Sequence, residues 1–390
     1  MVHSAVFGGV NMELYVFDRD LNFQGVFESF FSLRWVRRYS KCGEFELHCS
    51  LTSETLQLLQ KGNIVWKKGD IEAGYIEYRN LSQDSEGKET LAVKGKFLTG
   101  YLGRRIVWGI EKLKTTPELA MRYLIDKHCI NPDNPDRIIP YLKLNHLKGI
   151  PDDFYYLSAN QITWEPVAMN LPETEKQTSY KNLLEEIESI ATTNELGIRT
   201  LLDIQNKQML FDVYQGLDRT AGQTKNAPAI FSKEFENVLE QEYTDSLNNY
   251  RTVALVAGEG EGTARQFVTV GGGTGFDRYE LFVDARDLQQ EDMTNEEYEA
   301  VLQNRGQSKL AEMREIQTFD SKINLNSNLV YKEDFDLGDI VTCTSKKWGI
   351  TIDTRITEVE EVYEESGKQI NVVFGNNIPT LIDVIKREVR

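Results

Sequence analysis

One pattern recurs near the two ends of this chain, and a repeated pattern asks for two copies of one supersecondary unit. Gly62-Asn63-Ile64-Val65 resembles Gly338-Asp339-Ile340-Val341. Downstream lie Gly74-Tyr75-Ile76-Glu77 and Arg355-Ile356-Thr357-Glu358, each opening a long strand pattern. Glu86-Gly87-Lys88 and Ser366-Gly367-Lys368 then supply hairpin turns, and Val93-Lys94-Gly95 matches Val373-Phe374-Gly375. From turn glycine to last glycine is eight residues in both copies, 87 to 95 and 367 to 375. From first glycine to turn glycine is 25 residues in one copy and 29 in the other, a difference one loop absorbs. Identities are few and hairpins converge on such patterns, so coincidence stays open beside duplication.

The surrounding sequence agrees with a β unit. Apolar runs at 14–17, 23–27, 33–39, 44–49, 63–66, 74–81 and 89–97 are separated by short turns such as Ser40-Lys41-Cys42-Gly43, and short strands with regular turn signals read as a sandwich or barrel. A short helix is expected at 52–60, capped by Ser53. The middle is mixed. Thr116-Pro117-Glu118 starts a helix to about Cys129, a second helix covers 179–191, and 197–204 with 208–214 form a hairpin. Strands follow at 251–257, 264–270 and 279–283, then the longest helix at 294–317, which Gly306 is placed to break. The expected fold is α+β and β-dominated: two related antiparallel β-barrel domains joined by α/β insertion domains. Residues 1–11 form an appendage, 12–110 the first barrel and 318–390 the second. The α/β middle, 111–317, divides into about 111–217 and 218–317.

Composition narrows the function. Forty per cent apolar and 10% aromatic residues suffice for ordered cores. No run of 18 apolar residues is present, so no membrane insertion by this chain is expected, and residues 1–11 lack a signal-peptide pattern. The net charge of −17 argues against a phosphate-backbone binder. The basic cluster Arg34, Arg37, Arg38 and Lys41 is interleaved with Trp35, Val36 and Tyr39, and reads as polar positions flanking a strand that pairs in an assembly. Cys42, Cys49, Cys129 and Cys343 lack zinc or redox spacing. Cys42 and Cys49 could touch across a hairpin, but free buried thiols are the preferred reading.

No motif carries catalytic chemistry. Gly258-Glu259-Gly260-Glu261-Gly262 and Gly271-Gly272-Gly273-Thr274-Gly275 lie between strands, with no Lys following and two Glu that repel phosphate, so they read as turns or mobile loops. Asp334, Asp336 and Asp339 miss the calcium-loop pattern, since Asp339 stands where Gly is required and Ser345 where Glu is; they read as solvated turn acids. His3, His48, His128 and His146 have no metal-ligand spacing. Trp66, Tyr75, Tyr78 and Trp108 could stack sugars, with barrel core and interface preferred. No catalytic residue, cofactor or metal is therefore expected.

Several segments resemble the tail-hub family of siphophages. They are Arg34-Trp35-Val36-Arg37-Arg38-Tyr39 through Gly43-Glu44-Phe45-Glu46-Leu47, Ala73-Gly74-Tyr75-Ile76-Glu77 and Tyr180-Lys181-Asn182-Leu183-Leu184. Asn248-Asn249-Tyr250-Arg251 through Gly262, Arg278-Tyr279-Glu280-Leu281 with Val283-Asp284-Ala285-Arg286, and Asp334-Phe335-Asp336-Leu337-Gly338-Asp339-Ile340-Val341 complete the match from about residue 30 to 375. The resemblance implies a non-enzymatic homotrimeric hub at the virion tail tip, made in the bacterial host cytoplasm. It would join the distal tail or tail-tube protein to the tip fibre, spike or receptor-binding protein. Genomic DNA would pass through an acidic channel without specific binding. Related families carry a C-terminal cell-wall hydrolase, whereas this sequence stops soon after the second barrel, so lytic activity is expected from another polypeptide. Phe30, Phe31, Trp35, Arg37 and Arg38 are the expected ring contacts. The rival readings are a phage-borne cell-wall-degrading enzyme and a carbohydrate-binding module.

Overall fold

The computed structural model describes residues 6–7, 10–145 and 171–375. His3, His146, most of the expected appendage and the chain beyond 375 lie outside the described residues. In the first unit, alternation of apolar and polar residues builds β1 (Leu14–Phe17), β2 (Phe23–Phe27), β3 (Phe30–Arg38), β4 (Glu44–Ser50), β5 (Ile64–Lys67), β6 (Ala73–Gln83) and β7 (Glu89–Phe97). In β4, Phe45, Leu47 and Cys49 are buried while Glu44, Glu46 and His48 take the other face. The strands run β2-β1-β5-β6-β7-β4-β3, and Leu14, Trp35, Leu47, Val65, Ile76 and Val93 from both ends of that order share one core. Helix α1 (Ser53–Leu58) starts one residue later than expected. Its cap is Thr52, whose side chain accepts from the Thr55 backbone N–H while Thr55 answers with its own hydroxyl.

Between the β units lie β8 (Ile110–Thr115), α2 (Pro117–Ile125), β9 (Leu142–Leu144), β10 (Thr174–Ser179), α3 (Leu183–Thr193), β11 (Gly197–Asp203) and β12 (Gln208–Tyr214). The helix expected from 179 begins at 183, because Thr174–Ser179 is drawn into an antiparallel pair with Ile110–Thr115 and Asn182 supplies the cap. Then come β13 (Val238–Ser246), β14 (Val253–Ala257), β15 (Phe267–Gly271), β16 (Glu280–Asp284), α4 (Asn295–Ala311), β17 (Ile316–Ile323), β18 (Ile340–Ser345), β19 (Ile350–Glu364) and β20 (Gly367–Gly375). Helix α4 ends at Ala311 rather than 317, because Ile316–Ile323 pairs with Val238–Ser246. Gly306 does not break it. A Cβ there would meet Val270 at 2.7 Å and Val256 at 2.8 Å, so this glycine lets α4 lie close on the β15-β14-β16 sheet.

The two ends of the chain share a strand order. The first unit contains β3-β4-β7-β6-β5, the second β13-β17-β20-β19-β18. Gly62 and Gly338 both take left-handed backbone, φ +92 and +94. Gly62 donates its N–H to Ile76 O at 2.8 Å, and Gly338 donates to Ile356 O at 2.9 Å. Ile76 N–H returns to Asn63 O at 2.9 Å, and Ile356 N–H to Asp339 O at 2.8 Å. A bulge follows in each, between Ile76 and Tyr78 and between Ile356 and Glu358. Ile76 therefore corresponds to Ile356, one residue away from the register expected from the sequence patterns at 74–77 and 355–358.

The fold is α+β and β-dominated. The two units do not stand as separate closed barrels: β3 pairs antiparallel with β19, Trp35 opposite Glu361, and one fourteen-stranded sheet runs through both. Among the described residues no ladder closes on itself, β13 and β2 being the ends of its main path.

Candidate assembly interface

The β3–β19 junction gathers a connected network of buried charge. Along β3, Leu33, Trp35 and Arg37 point inward, and along β19 Val359, Glu361 and Tyr363 do the same; all six are at most 2% exposed. Arg37 donates Nε to Glu72 at 2.9 Å and Nη1 to Asp336 and the Tyr331 hydroxyl at 2.8 Å. Lys67 sits between Trp35 and Tyr363, 5.5 Å from each ring centroid, and pairs with Glu361 and, at 3.1 Å, with Asp70. Lys332 reaches Asp70 at 3.1 Å, Lys368 reaches Glu361 at 2.9 Å, and Tyr363 OH donates to Glu361 at 2.6 Å. Four cations thus balance four carboxylates.

The environment fixes these charges. Burial pushes the Glu361 carboxyl up, but Lys67 and Lys368 outweigh it and bring it down to about 2. Asp70 is held well below the carboxylate range by Lys67, Arg37 and Lys332 against the same opposition. Burial raises Glu72, with Arg37 pulling it part of the way back. Burial opposes the Arg37 charge, yet Tyr331, Glu72, Asp336 and Asp70 keep it firmly protonated. This arrangement can hold two β units in one register, because a slip would strand buried ions without partners.

The opposite face of the same sheet is polar across both units. Arg34 pairs with Glu360 and, at 3.2 Å, with Glu44; Arg38 pairs with Glu358 at 2.7 Å and Glu44 at 2.9 Å. Lys94 reaches Glu46 at 3.0 Å. Further along, burial and the neighbouring Glu242 and Glu358 raise Asp320 to about 6.

Of the expected contact residues, Trp35, Arg37 and Arg38 fall at this junction, while Phe30 and Phe31 precede its paired span on β3. Phe30 and Trp35 belong to the first core, Arg37 is buried between the units, Arg38 lines the polar face, and Phe31 lies under the Lys88 ammonium at 4.9 Å. Lys67, Asp70, Glu72 and Glu361 were not singled out by the sequence; their neighbours give no local signal of burial. Asp339 is not a solvated turn acid, and Asp336, its side chain 40% exposed, is anchored by an ion pair. Asp336 pairs with Arg37, and Asp339, 4% exposed, accepts from Leu217 N at 2.7 Å and Arg219 Nε at 2.9 Å. Tyr75 is core, whereas Tyr78 and Trp108 are exposed. All four cysteines are free, and burial pushes the Cys49 and Cys129 thiols up to about 12 and Cys42 and Cys343 upward too. Among the described residues no group of three or more His, Cys, Asp or Glu is arranged to hold a metal, and no helix is long and apolar enough to cross a membrane.

Solved structures that share this fold include three tail proteins. The tail protein from Neisseria meningitidis MC58 matches with TM-score 0.53 at 11% identity, covering 94% of this chain and 97% of that one. Prophage tail protein gp18 from Listeria monocytogenes EGD-e gives 0.53 at 13%, covering 97% and 98%. The 43 kDa tail protein of prophage MuSo2 from Shewanella oneidensis gives 0.52 at 11%, covering 93% and 96%. No curated protein matches the sequence. The model of the Siphovirus ReqiPepy6 Gp37-like proteins matches residues 13–376, and the chain belongs to that family.

Proposed function

We infer that this chain is a structural, non-enzymatic hub of a long phage tail, a homotrimeric ring at the virion tail tip. It would join the distal tail or tail-tube protein to the tip fibre, spike or receptor-binding protein and line the DNA exit channel. The observation that carries this reading is the doubled strand order within one chain. Three copies would offer six similar β units, each a barrel-like curl around its own core, to a six-fold partner. Membership of a siphovirus family and a fold shared with tail proteins support it. On this reading the second unit takes in Val238–Ser246 together with the strands after 316, and 247–315 is an insertion carried on its surface. The continuous polar face would line the channel, where an excess of acid over base keeps DNA from sticking. Light scattering with negative-stain class averages tests the reading. A three-fold particle with a central opening is expected; a monomer at tens of micromolar in both low and moderate salt would overturn the self-assembling ring.

A further inference from the structure

The junction inside the chain has an unpaired counterpart at each end. The correspondence that maps Ile76 onto Ile356 also maps residues 78–84 onto 358–364. Phe45 opposes Gly95, which opposes Ile76, just as Phe319 opposes Phe374, which opposes Ile356. Trp35 faces Phe45 as Tyr243 faces Phe319, so β13 is the equivalent of β3. Within the chain, β3 covers residues 358–364, burying Val359, Glu361 and Tyr363. Their counterparts on β6, Arg79, Leu81 and Gln83, pair with β7 on one side and have no strand on the other among the described residues, and Leu81 is 52% exposed. The outer edge of β13 is equally bare: its described pairing is with β17 alone, and Asp245, the counterpart of buried Arg37, is exposed.

We propose that residues 78–83 of one copy pair antiparallel with Val238–Ser246 of the next copy, repeating between chains the β3–β19 junction. The inference rests on the ring reading above and names the edges that build it. The chain does not pair these edges with each other: they lie at opposite ends of the run β13-β17-β20-β19-β3-β4-β7-β6, and no ladder joins them among the described residues. The occupant is a second copy because each edge is the structural equivalent of a strand whose mate this chain already supplies. Transferring the observed register places Leu81 opposite Tyr243, Arg79 opposite Asp245, and Asn80 opposite Thr244. The first pair is apolar and the second opposite in charge, both favourable across antiparallel strands. Such a head-to-tail contact either closes into a ring or runs on as a filament, and bare edges of this kind invite pairing.

A disulfide test reads the edges directly. Asn80 and Thr244 lie on the polar face, away from the core, so an Asn80→Cys/Thr244→Cys variant should fold. Under mild oxidation it should give a reducible ladder of covalent oligomers ending at the trimer, while each single-cysteine variant gives no ladder. Arg79→Glu and Asp245→Arg should each move the association midpoint to about tenfold higher protein concentration, and the double reversal should restore it. A wild-type ring without a disulfide ladder would overturn the edge pairing and leave the ring reading standing. A ladder from a protein that is monomeric by light scattering would do the reverse. Absence of both would sink both. Single reversals that leave the midpoint unchanged also count against the pairing.

Discussion

Lys67 and Glu361, 294 positions apart in sequence, form an ion pair inside the seam between the two β units. Both side chains are 3% exposed, so the charges are shielded from water and depend on one another. Lys67→Met should cost about 3–5 kcal/mol, since it leaves Glu361 and Asp70 each short of a buried partner. The Lys67→Met/Glu361→Leu pair should cost less than the sum of the single changes. Urea denaturation of the four proteins checks this; additive losses would mean the two groups are not coupled.

The same seam sets acid sensitivity. Glu361 ionises at about 2 in the folded chain, below the ~4.3 of an unfolded glutamate, and Asp70 moves in the same direction. Their contribution is complete above the unfolded value and disappears as pH falls from roughly 4 towards 2. Stability measured by denaturant at stepped pH should drop through that window, and Glu361→Gln should flatten part of the drop. An unchanged acid limb in Glu361→Gln would remove Glu361 from the cause.

Asp320 works with the opposite sign. Burial, Glu242 and Glu358 raise its carboxyl to about 6, so the folded state holds a proton that the unfolded chain releases near 4. The resulting penalty is absent below pH 4 and full above pH 6. Discounted for the group's partial exposure, Asp320→Asn should stabilise by about 1 kcal/mol at pH 8, with the gain fading by pH 4. Thermal melts at the two pH values decide the matter.

The left-handed glycines opening the equivalent strands should respond unequally. A Cβ on Gly338 would sit 2.4 Å from the buried Tyr39 ring, whereas one on Gly62 would meet the end of the Arg19 side chain, which can move. Both substitutions carry the positive-φ cost of about 1–2 kcal/mol. Gly338→Ala should add a further ~1–3 kcal/mol for overpacking. Equal losses in chemical denaturation would show that Tyr39 yields freely.

The glycines are also why the repeat was legible. Gly62, Gly338, Gly87 and Gly367 all take positive φ, and such positions survive in a sequence as punctuation. The register between copies was not legible, because the stretch from the opening glycine to the equivalent isoleucine differs in length, 62 to 76 against 338 to 356, and the bulges at Glu77 and Thr357 that mark the equivalence carry no distinctive side chain. The first strand of the second unit was missed as well. At an unpaired edge, Val238–Ser246 carries mostly polar residues, and residues 247–315 separate it from its partner Ile316–Ile323. In the seam, Arg37 stood out because it lies beside Trp35. Lys67, Asp70 and Glu361 looked like ordinary surface charges, since their burial is created by strands distant in sequence.

Ionic strength should act on assembly through net charge. Each copy carries −17, so bringing copies together meets long-range repulsion. The proposed contact sets one opposite-charge pair, Arg79 with Asp245, against that field, and its Leu81–Tyr243 contact is indifferent to salt. The screening length shortens from roughly 14 Å at 0.05 M to about 6 Å at 0.3 M, which weakens repulsion spread over the whole surface more than attraction within one close pair. Association should therefore tighten by about three- to tenfold over that range, read as a shift of the midpoint in light scattering across a protein dilution series. In Asp245→Asn the same shift should be at least as large, because the one attraction that salt weakens is gone. Association that loosens with salt would show that local ion pairs outweigh the net charge, and would move the contact onto the charged face rather than the strand edges.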